Sequence, residues 1–264
     1  MKALLQTAFL ILVAAALPAP AAGLSADEIV KRSLEGFYSA GADLRVRVEM
    51  KLINPQGKTR ERTMTLLRLN LGAAGEQRYY IYFHAPSDVK GTSFMVWKYP
   101  GKDSDRWIYV PALKLVKRIA ADDKRSSFVG SDFTYEDVSG RNLTDESHLL
   151  LREEDFNGRP AYVVESRPKA PADYSRRVSW IDRERFLPLK EEYFDAQDGL
   201  LRVFTAGRVE QVGPHWTVTA RSMRNVQSGH RTEVAFRDVQ YDVGLKPDVF
   251  TERYLRDAPA QWVR

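Results

Sequence analysis

The chain has 264 residues, with 40 Lys and Arg against 35 Asp and Glu, a formal net charge of +5 and no cysteine. The lack of thiols excludes disulfides, thiolate metal sites, a thiol nucleophile and an acylated-cysteine membrane anchor. The small basic surplus is spread along the chain, so an anionic surface is only weakly favoured as a partner.

At the N-terminus, Lys2 is the only charge before Asp27, and it precedes the apolar stretch Ala8–Leu17. Ten residues span only about 15 Å as a helix, half a bilayer core, and the run ends in Pro18-Ala-Pro-Ala-Ala-Gly23, which offers an Ala19-x-Ala21 cleavage site. Residues 1–22 therefore read as a cleavable signal peptide, which places the mature chain, 23–264, in the periplasm of a bacterial envelope. No later segment approaches 18 consecutive apolar residues. A mature chain of about 240 residues is long enough to hold together by core packing without disulfides, as a single domain.

Ser25-Ala-Asp-Glu-Ile-Val-Lys-Arg-Ser-Leu-Glu-Gly-Phe-Tyr38 predicts a short amphipathic helix, with Ser25 as cap, Glu28 completing a capping box, and Ile29, Val30, Leu34 and Phe37 on one stripe. From Ala42 the period falls to two: Leu44, Val46, Val48, Met50 and Leu52 alternate with charged residues, and Asn54-Pro-Gln-Gly57 turns the chain into a returning run, 58–71. Strand patterns follow at 77–84, 92–99, 105–110, 114–119, 147–156, 160–167, 175–183, 187–195, 200–212, 215–226 and 229–243. Asn157-Gly158, Asp198-Gly199, Gly213-Pro214 and Ser228-Gly229 supply turns between them. So many sequential hairpins without intervening helices predict a mainly β fold, a wide antiparallel curled sheet or barrel. The long interruption, Ala120 to Asp145, reads as a functional loop holding a short helix, and Pro247–Leu255 as a short closing helix or turn with Phe250 and Tyr254 on one side.

Catalytic chemistry has little support. His84, His148, His215 and His230 are scattered and form no metal motif, and Gly91-Thr-Ser-Phe-Met95 lacks the second glycine of a nucleophile elbow. Asp132, Glu136 and Asp137 cluster, but acidic residues around a helix start serve first as caps. Trp97-Lys-Tyr99 and Trp107-Ile-Tyr109 interleave aromatics with basic residues, yet an exported protein seldom meets nucleic acid, and none is expected as partner. In Tyr79–Phe83, Phe94–Trp97 and Trp107–Val110 neither alternate set of side chains is polar. These strands carry apolar cover on both sides, either a doubly packed sheet or a sheet with a ligand groove on one face.

The segments Gly91–Gly101, Asp105–Lys114, Val116–Ile119 and Phe128–Asp137 resemble the outer-membrane lipoprotein-sorting protein family. More narrowly, they are similar to LolA-like periplasmic proteins encoded beside lipid-exporting transporters of the resistance-nodulation-division type. The resemblance implies an unclosed half β-barrel, with the N-terminal helix and a short helical loop packed on its concave side. It also implies a carrier that binds lipid or acyl chains, as lipoprotein or other membrane lipid, and passes them between envelope components. The expected partners are lipid or acylated protein cargo and an inner-membrane transporter of that type. The competing reading is a sensor or adaptor that binds a transporter or regulatory protein without lipid. Neither reading involves catalysis, a cofactor or a metal. Phe94, Val96, Trp97, Trp107 and Tyr109 are the expected groove lining, although strand parity leaves open which of them face the core. Phe128, Phe133 and Tyr135, aromatics in a polar loop with Gly130 as hinge, are expected to form a lid or a fixed plug.

Overall fold

A computed structural model describes residues 23–72 and 75–264. The expected signal peptide, 1–22, lies outside the described residues. Helix α1 (Ala26–Tyr38) starts where the sequence places it: the Ser25 hydroxyl accepts the Glu28 N–H at 3.2 Å. The capping box is only half formed, because the Glu28 carboxylate turns to Arg32 Nε at 2.8 Å instead of back to the cap. Ile29 and Val30 are buried on the predicted stripe, with Leu34 and Phe37 partly covered.

The sheet opens with β1 (Asp43–Ile53), β2 (Thr59–Leu71), β3 (Glu76–Ala85), β4 (Ser93–Lys98), β5 (Asp105–Val110) and β6 (Leu115–Ile119). After a long connection holding α2 (Tyr135–Ser139) come β7 (Glu146–Asp155), β8 (Pro160–Pro168), β9 (Arg176–Asp182) and β10 (Pro188–Phe194). The last strands are β11 (Leu200–Val212), β12 (His215–Asn225) and β13 (Arg231–Tyr241), and the chain ends in the short helices α3 (Glu252–Arg256) and α4 (Ala260–Val263). Each predicted strand has its counterpart. The turns take the backbone their residues allow: Asn157 and Gly158 both have positive φ, 54° and 78°, as a two-residue hairpin turn requires.

All thirteen strands form one antiparallel sheet in the order β6-β5-β4-β3-β2-β1-β13-β12-β11-β10-β9-β8-β7. Two meanders are joined at the β1–β13 pair, where Met50 lies opposite Val234. The sheet is not closed: β6 and β7 are its free edges, and it forms an open half-barrel. The connection from β6 to β7 must therefore cross a whole face of the sheet. It crosses the inner face, where Val46, Val48 and Met50 of β1 join Leu66, Ile81, Phe83, Phe94, Phe204, Met223 and Val234 in one core with Phe128 and Phe133 of the connection. Helix α1 covers the inner face of β8 and β9, packing Ile29 and Val30 on Tyr162, Val164 and Ile181.

The opposite set of side chains on β2–β5 is covered from outside. Leu67, Leu69, Tyr80, Met95 and Trp107 pack against Leu245, Val249, Phe250, Leu255 and Val263 of the C-terminal segment. Hydrogen bonds fix this cover: Tyr80 Oη donates to the Tyr254 carbonyl at 2.7 Å, Ser93 Oγ to that of Leu255 at 2.6 Å, and Trp97 Nε1 to that of Phe250 at 2.9 Å. The strands that read as apolar on both faces are covered on both faces. No helix among the described residues is long and apolar enough to cross a membrane.

Candidate functional site

The inner face and the segment that crosses it make up the candidate site. Residues 126–135 fold back on themselves as a finger. Its stem is a bridge between Ser127 and Thr134, reinforced by the Phe128 N–H to the Phe133 carbonyl at 2.8 Å and the Tyr135 N–H to the Ser126 carbonyl at 3.3 Å. The tip turns through Val129 and Gly130, with φ of 49° and 77°. A β-branched residue in the left-handed region is a strained choice that the surroundings must hold in place.

Three aromatics of the finger dock on the sheet. Phe128 is 1% exposed and its ring lies 5.4 Å from Phe94, 6.1 Å from Phe83 and 5.5 Å from Tyr135; Tyr135 in turn lies 5.2 Å from Phe94. Phe133 is 4% exposed and sits beneath the Arg221 guanidinium, 5.4 Å away. Polar contacts hold the tip. Arg62 donates to the Val129 carbonyl, the Asp132 N–H donates to Thr232 Oγ1 at 3.0 Å, and the Asp132 carboxylate accepts from the Thr232 hydroxyl at 2.8 Å and lies 2.7 Å from His230 Nδ1.

Of the five residues expected to line a groove, the structure brings Phe94 and Val96 together on the inner face beneath the finger. Trp97, Trp107 and Tyr109 point the other way, into the outer cluster under the C-terminal segment. The five do not form one wall, because β4 and β5 alternate and Trp107 pairs with Met95 while Ile108 pairs with Phe94. Ile81, Phe83, Leu66, Phe204 and Met223 share the inner face with Phe94 and Val96, and the plain alternation of their strands signals this once parity is known.

Beyond the finger lies a buried ionic network that the sequence did not reveal. Helix α2 begins with a capping box, the Thr134 hydroxyl accepting the Asp137 N–H and the Asp137 carboxylate accepting the Thr134 N–H at 2.8 Å. The same carboxylate accepts from Arg141 at 2.6 Å and Arg202 at 3.1 Å. Burial alone pushes the Asp137 carboxyl up; Arg202, Arg141 and the Thr134 N–H outweigh it and hold the group well below its ordinary value. Glu136 lies 3.3 Å from Arg141 and 3.5 Å from Arg125, and Arg177 bridges Glu146 and Glu191 at 2.7 and 2.5 Å. Asp132, Glu136 and Asp137 are thus each committed to structural partners. Asp137 anchors α2 to β11, and Arg141, donating to Tyr174 Oη at 3.1 Å, carries the cluster on to Glu146 of β7, which accepts from Tyr174 Oη at 2.7 Å.

Two small cavities lie between α1 and the sheet, one of them also against Phe133 of the finger, of about 40 and 60 Å³, room for a few waters at most, whereas sites for small organic ligands run to about 300 Å³ and more. A wider, open cavity of about 640 Å³ includes Met50, Arg62, Arg221 and Val234, with Glu49, Glu61 and Glu233. No group of three or more His, Cys, Asp or Glu among the described residues has metal-site geometry.

An unclosed antiparallel half-barrel whose inner face is covered by a helix and a crossing loop defines the LolA-like fold class. The comparisons carry this to a family. A family profile described as "-like: Uncharacterized protein" matches residues 75–257. A putative outer membrane lipoprotein-sorting protein domain from Vibrio parahaemolyticus is 31% identical over 88% of this chain and 98% of that one, with a TM-score of 0.81. A DUF1329 family protein from Desulfovibrio piger is 30% identical over 86% of this chain and 95% of that one, with a TM-score of 0.79. A LolA superfamily protein from Nitrosomonas europaea shares the fold at 18% identity, covering 88% of this chain and 100% of that one, with a TM-score of 0.69. Comparison with curated proteins yields no significant match. The chain belongs to the outer-membrane lipoprotein-sorting protein family.

Proposed function

We propose that the protein is a non-enzymatic periplasmic carrier in its closed, unloaded form, and that the finger at 126–135 is a lid whose aromatics hold the place of an acyl chain. The observation that supports this reading most is the docking of Phe128, Phe133 and Tyr135 on an apolar inner face that is otherwise complete. Burying three aromatic side chains stabilises the closed state by about 5–9 kcal/mol, and an acyl chain burying about 300 Å² contributes about 7 kcal/mol. Exchange of one for the other is then close to balanced, which suits a carrier that must both load and release.

The same reading takes the mature chain, 23–264, as one exported domain that receives cargo from, or hands it to, an inner-membrane transporter of the resistance-nodulation-division type. Lipoprotein and free membrane lipid both suit an apolar inner face. The Vibrio relative, a putative outer membrane lipoprotein-sorting protein domain, supports the first of these.

The test is a tether. Asp132 and Thr232 touch across the lid and β13, and the chain has no native cysteine, so an Asp132→Cys/Thr232→Cys pair locks the lid on oxidation. A fluorescent acyl probe should bind the reduced pair and be excluded, by tenfold or more, from the oxidised pair. Equal affinity in both states would overturn the lid.

A further inference from the structure

Arg221 stands on the inner face outside the buried ionic network, among aromatic rings. Its Nε is closed off from solvent without a hydrogen-bond partner, and the whole side chain makes no hydrogen bond or ion pair among the described residues. It lies instead among three rings, 4.7 Å from Phe236, 5.3 Å from Phe37 and 5.4 Å from Phe133. Burial pulls its affinity for the proton down; Tyr38 and Asp137 offset this only in part. Asp137 is already held by Arg141 and Arg202.

Arg221 reaches both of the small inner cavities, and the larger of the two has an unusual wall. Arg68 and Arg221 line it with Tyr38, Tyr79, Tyr241 and apolar side chains, and no carboxylate takes part. Arg68 is 3% exposed and spends its two terminal nitrogens on the carbonyls of Tyr38 and Ala40. A buried cation, Arg68, and a half-buried one, Arg221, in a wall without an anion are costly, and a guanidinium left unpaired forgoes the bidentate bonds it makes best. The missing member is an anion of the size of a carboxylate or phosphate, at the end of an apolar body.

We propose that Arg221 is the headgroup subsite of the carrier, taking the carboxylate or phosphate of an anionic acyl lipid when Phe133 lifts away from it. This rests on the lid reading above and adds the chemical class of the cargo. The lid then has two roles on one residue pair: closed, Phe133 covers the cation with a ring; open, the headgroup replaces the ring and the acyl chain runs along Phe94 and Val96.

The experiment compares oleate, methyl oleate, a monoacyl phosphate of equal chain length and inorganic phosphate, each displacing a neutral acyl fluorophore from the wild-type protein and from Arg221→Met and Arg221→Gln. The wild type should bind oleate and the acyl phosphate at least tenfold more tightly than methyl oleate. Both variants should lose that preference while keeping the affinity for methyl oleate. Displacement by inorganic phosphate alone would mark a free-anion site and overturn the lipid assignment. A preference for oleate that survives in both variants would overturn the role of Arg221, leaving the carrier reading intact. Failure of every acyl probe to bind the wild type would overturn the carrier reading and this inference with it. Arg221→Met removes a charge that has no partner, so it should fold; Arg221→Lys, which keeps the charge, should retain most of the preference.

Discussion

Truncating Phe128 to alanine separates a lid from a plug. The side chain is 1% exposed and is enclosed by Phe83, Phe94 and Tyr135. In a core that cannot rearrange, Phe→Ala costs about 3–5 kcal/mol, transfer and cavity together. A lid changes this, because the finger can undock as a unit and the loss of global stability is then limited to the free energy that docks it. Docking depends on three aromatics and a few polar contacts, so losing one ring removes roughly a third of the apolar part, about 2–3 kcal/mol. The expected result for Phe128→Ala is a fall in unfolding free energy of no more than about 3 kcal/mol. Hydrogen exchange should quicken at the amides of Phe128, Ser131 and Tyr135 while β3 and β4 stay protected, and an acyl probe should bind several-fold more tightly. A loss of 4 kcal/mol or more, with exchange raised throughout β3 and β4 and probe affinity unchanged, would refute the lid and establish a fixed plug.

Three further outcomes follow from the same geometry. Trp107→Ala, on the outer face under the C-terminal segment, should cost about 3–5 kcal/mol of stability and leave acyl-probe affinity alone, whereas Phe94→Ala should change both; equal effects on the probe would refute the assignment of faces. Asp137→Asn leaves Arg141 and Arg202 without their shared anion and should destabilise by about 3–5 kcal/mol in urea unfolding. Because the folded-state pKa of Asp137 is depressed, its contribution is present above its unfolded value near 3.8 and is lost as pH falls below it, so the variant should show a shallower acid-side loss of stability than the wild type. Lys98, pulled down to about 8 by burial with Arg106 adding to it, is disfavoured as a cation in the fold. The unfolded chain therefore binds more protons between about pH 8 and 10.5, and stability should rise through that window by about 2–3 kcal/mol, a rise that Lys98→Met should lack in thermal unfolding.

The strands were legible because their charged and apolar residues alternate and their turns carry Asn-Gly, Asp-Gly and Gly-Pro pairs. The faces were not. In Phe94-Met-Val-Trp97 both alternate sets are apolar, so parity alone does not say that Phe94 and Val96 turn inward while Met95 and Trp97 turn out. The reason is the outer cover: Leu245, Val249, Phe250, Leu255 and Val263 follow no single period, and nothing local in 243–263 announces that it wraps β2–β5. The buried network was hidden for the opposite reason. Arg177, Arg202 and Arg221 stand in strands where a charged residue reads as facing water, and only the distant carboxylates of α2, β7 and β10 make the first two buried pairs. Asp137 was legible as a helix cap, and it is one, but its bond to Arg202 across 65 positions has no sequence signature.

The topology accounts for a segment crossing the inner face at this point of the chain. A single open sheet whose two meanders meet at β1 and β13 leaves its edges, β6 and β7, at opposite sides, and the chain has one passage between them. That passage has to cross the inner face, and its two ends are fastened differently. The start is held by Arg125, which donates to the Pro171 carbonyl at 2.6 Å, and the end by the charges of α2 on β11. Between them the finger touches the sheet through rings and through the tip contacts at Val129 and Asp132. Ionic anchors resist displacement by an apolar ligand, since an acyl chain offers nothing to replace a buried charge pair. Aromatic contacts do not resist it, since an acyl chain replaces them in kind. Loading should therefore lift residues 126–135 and leave the rest of α2, 136–139, seated, so that a spin label at residue 130 moves on addition of oleate while one at residue 138 does not; movement of both by the same distance would mean that the ionic anchor opens with the lid.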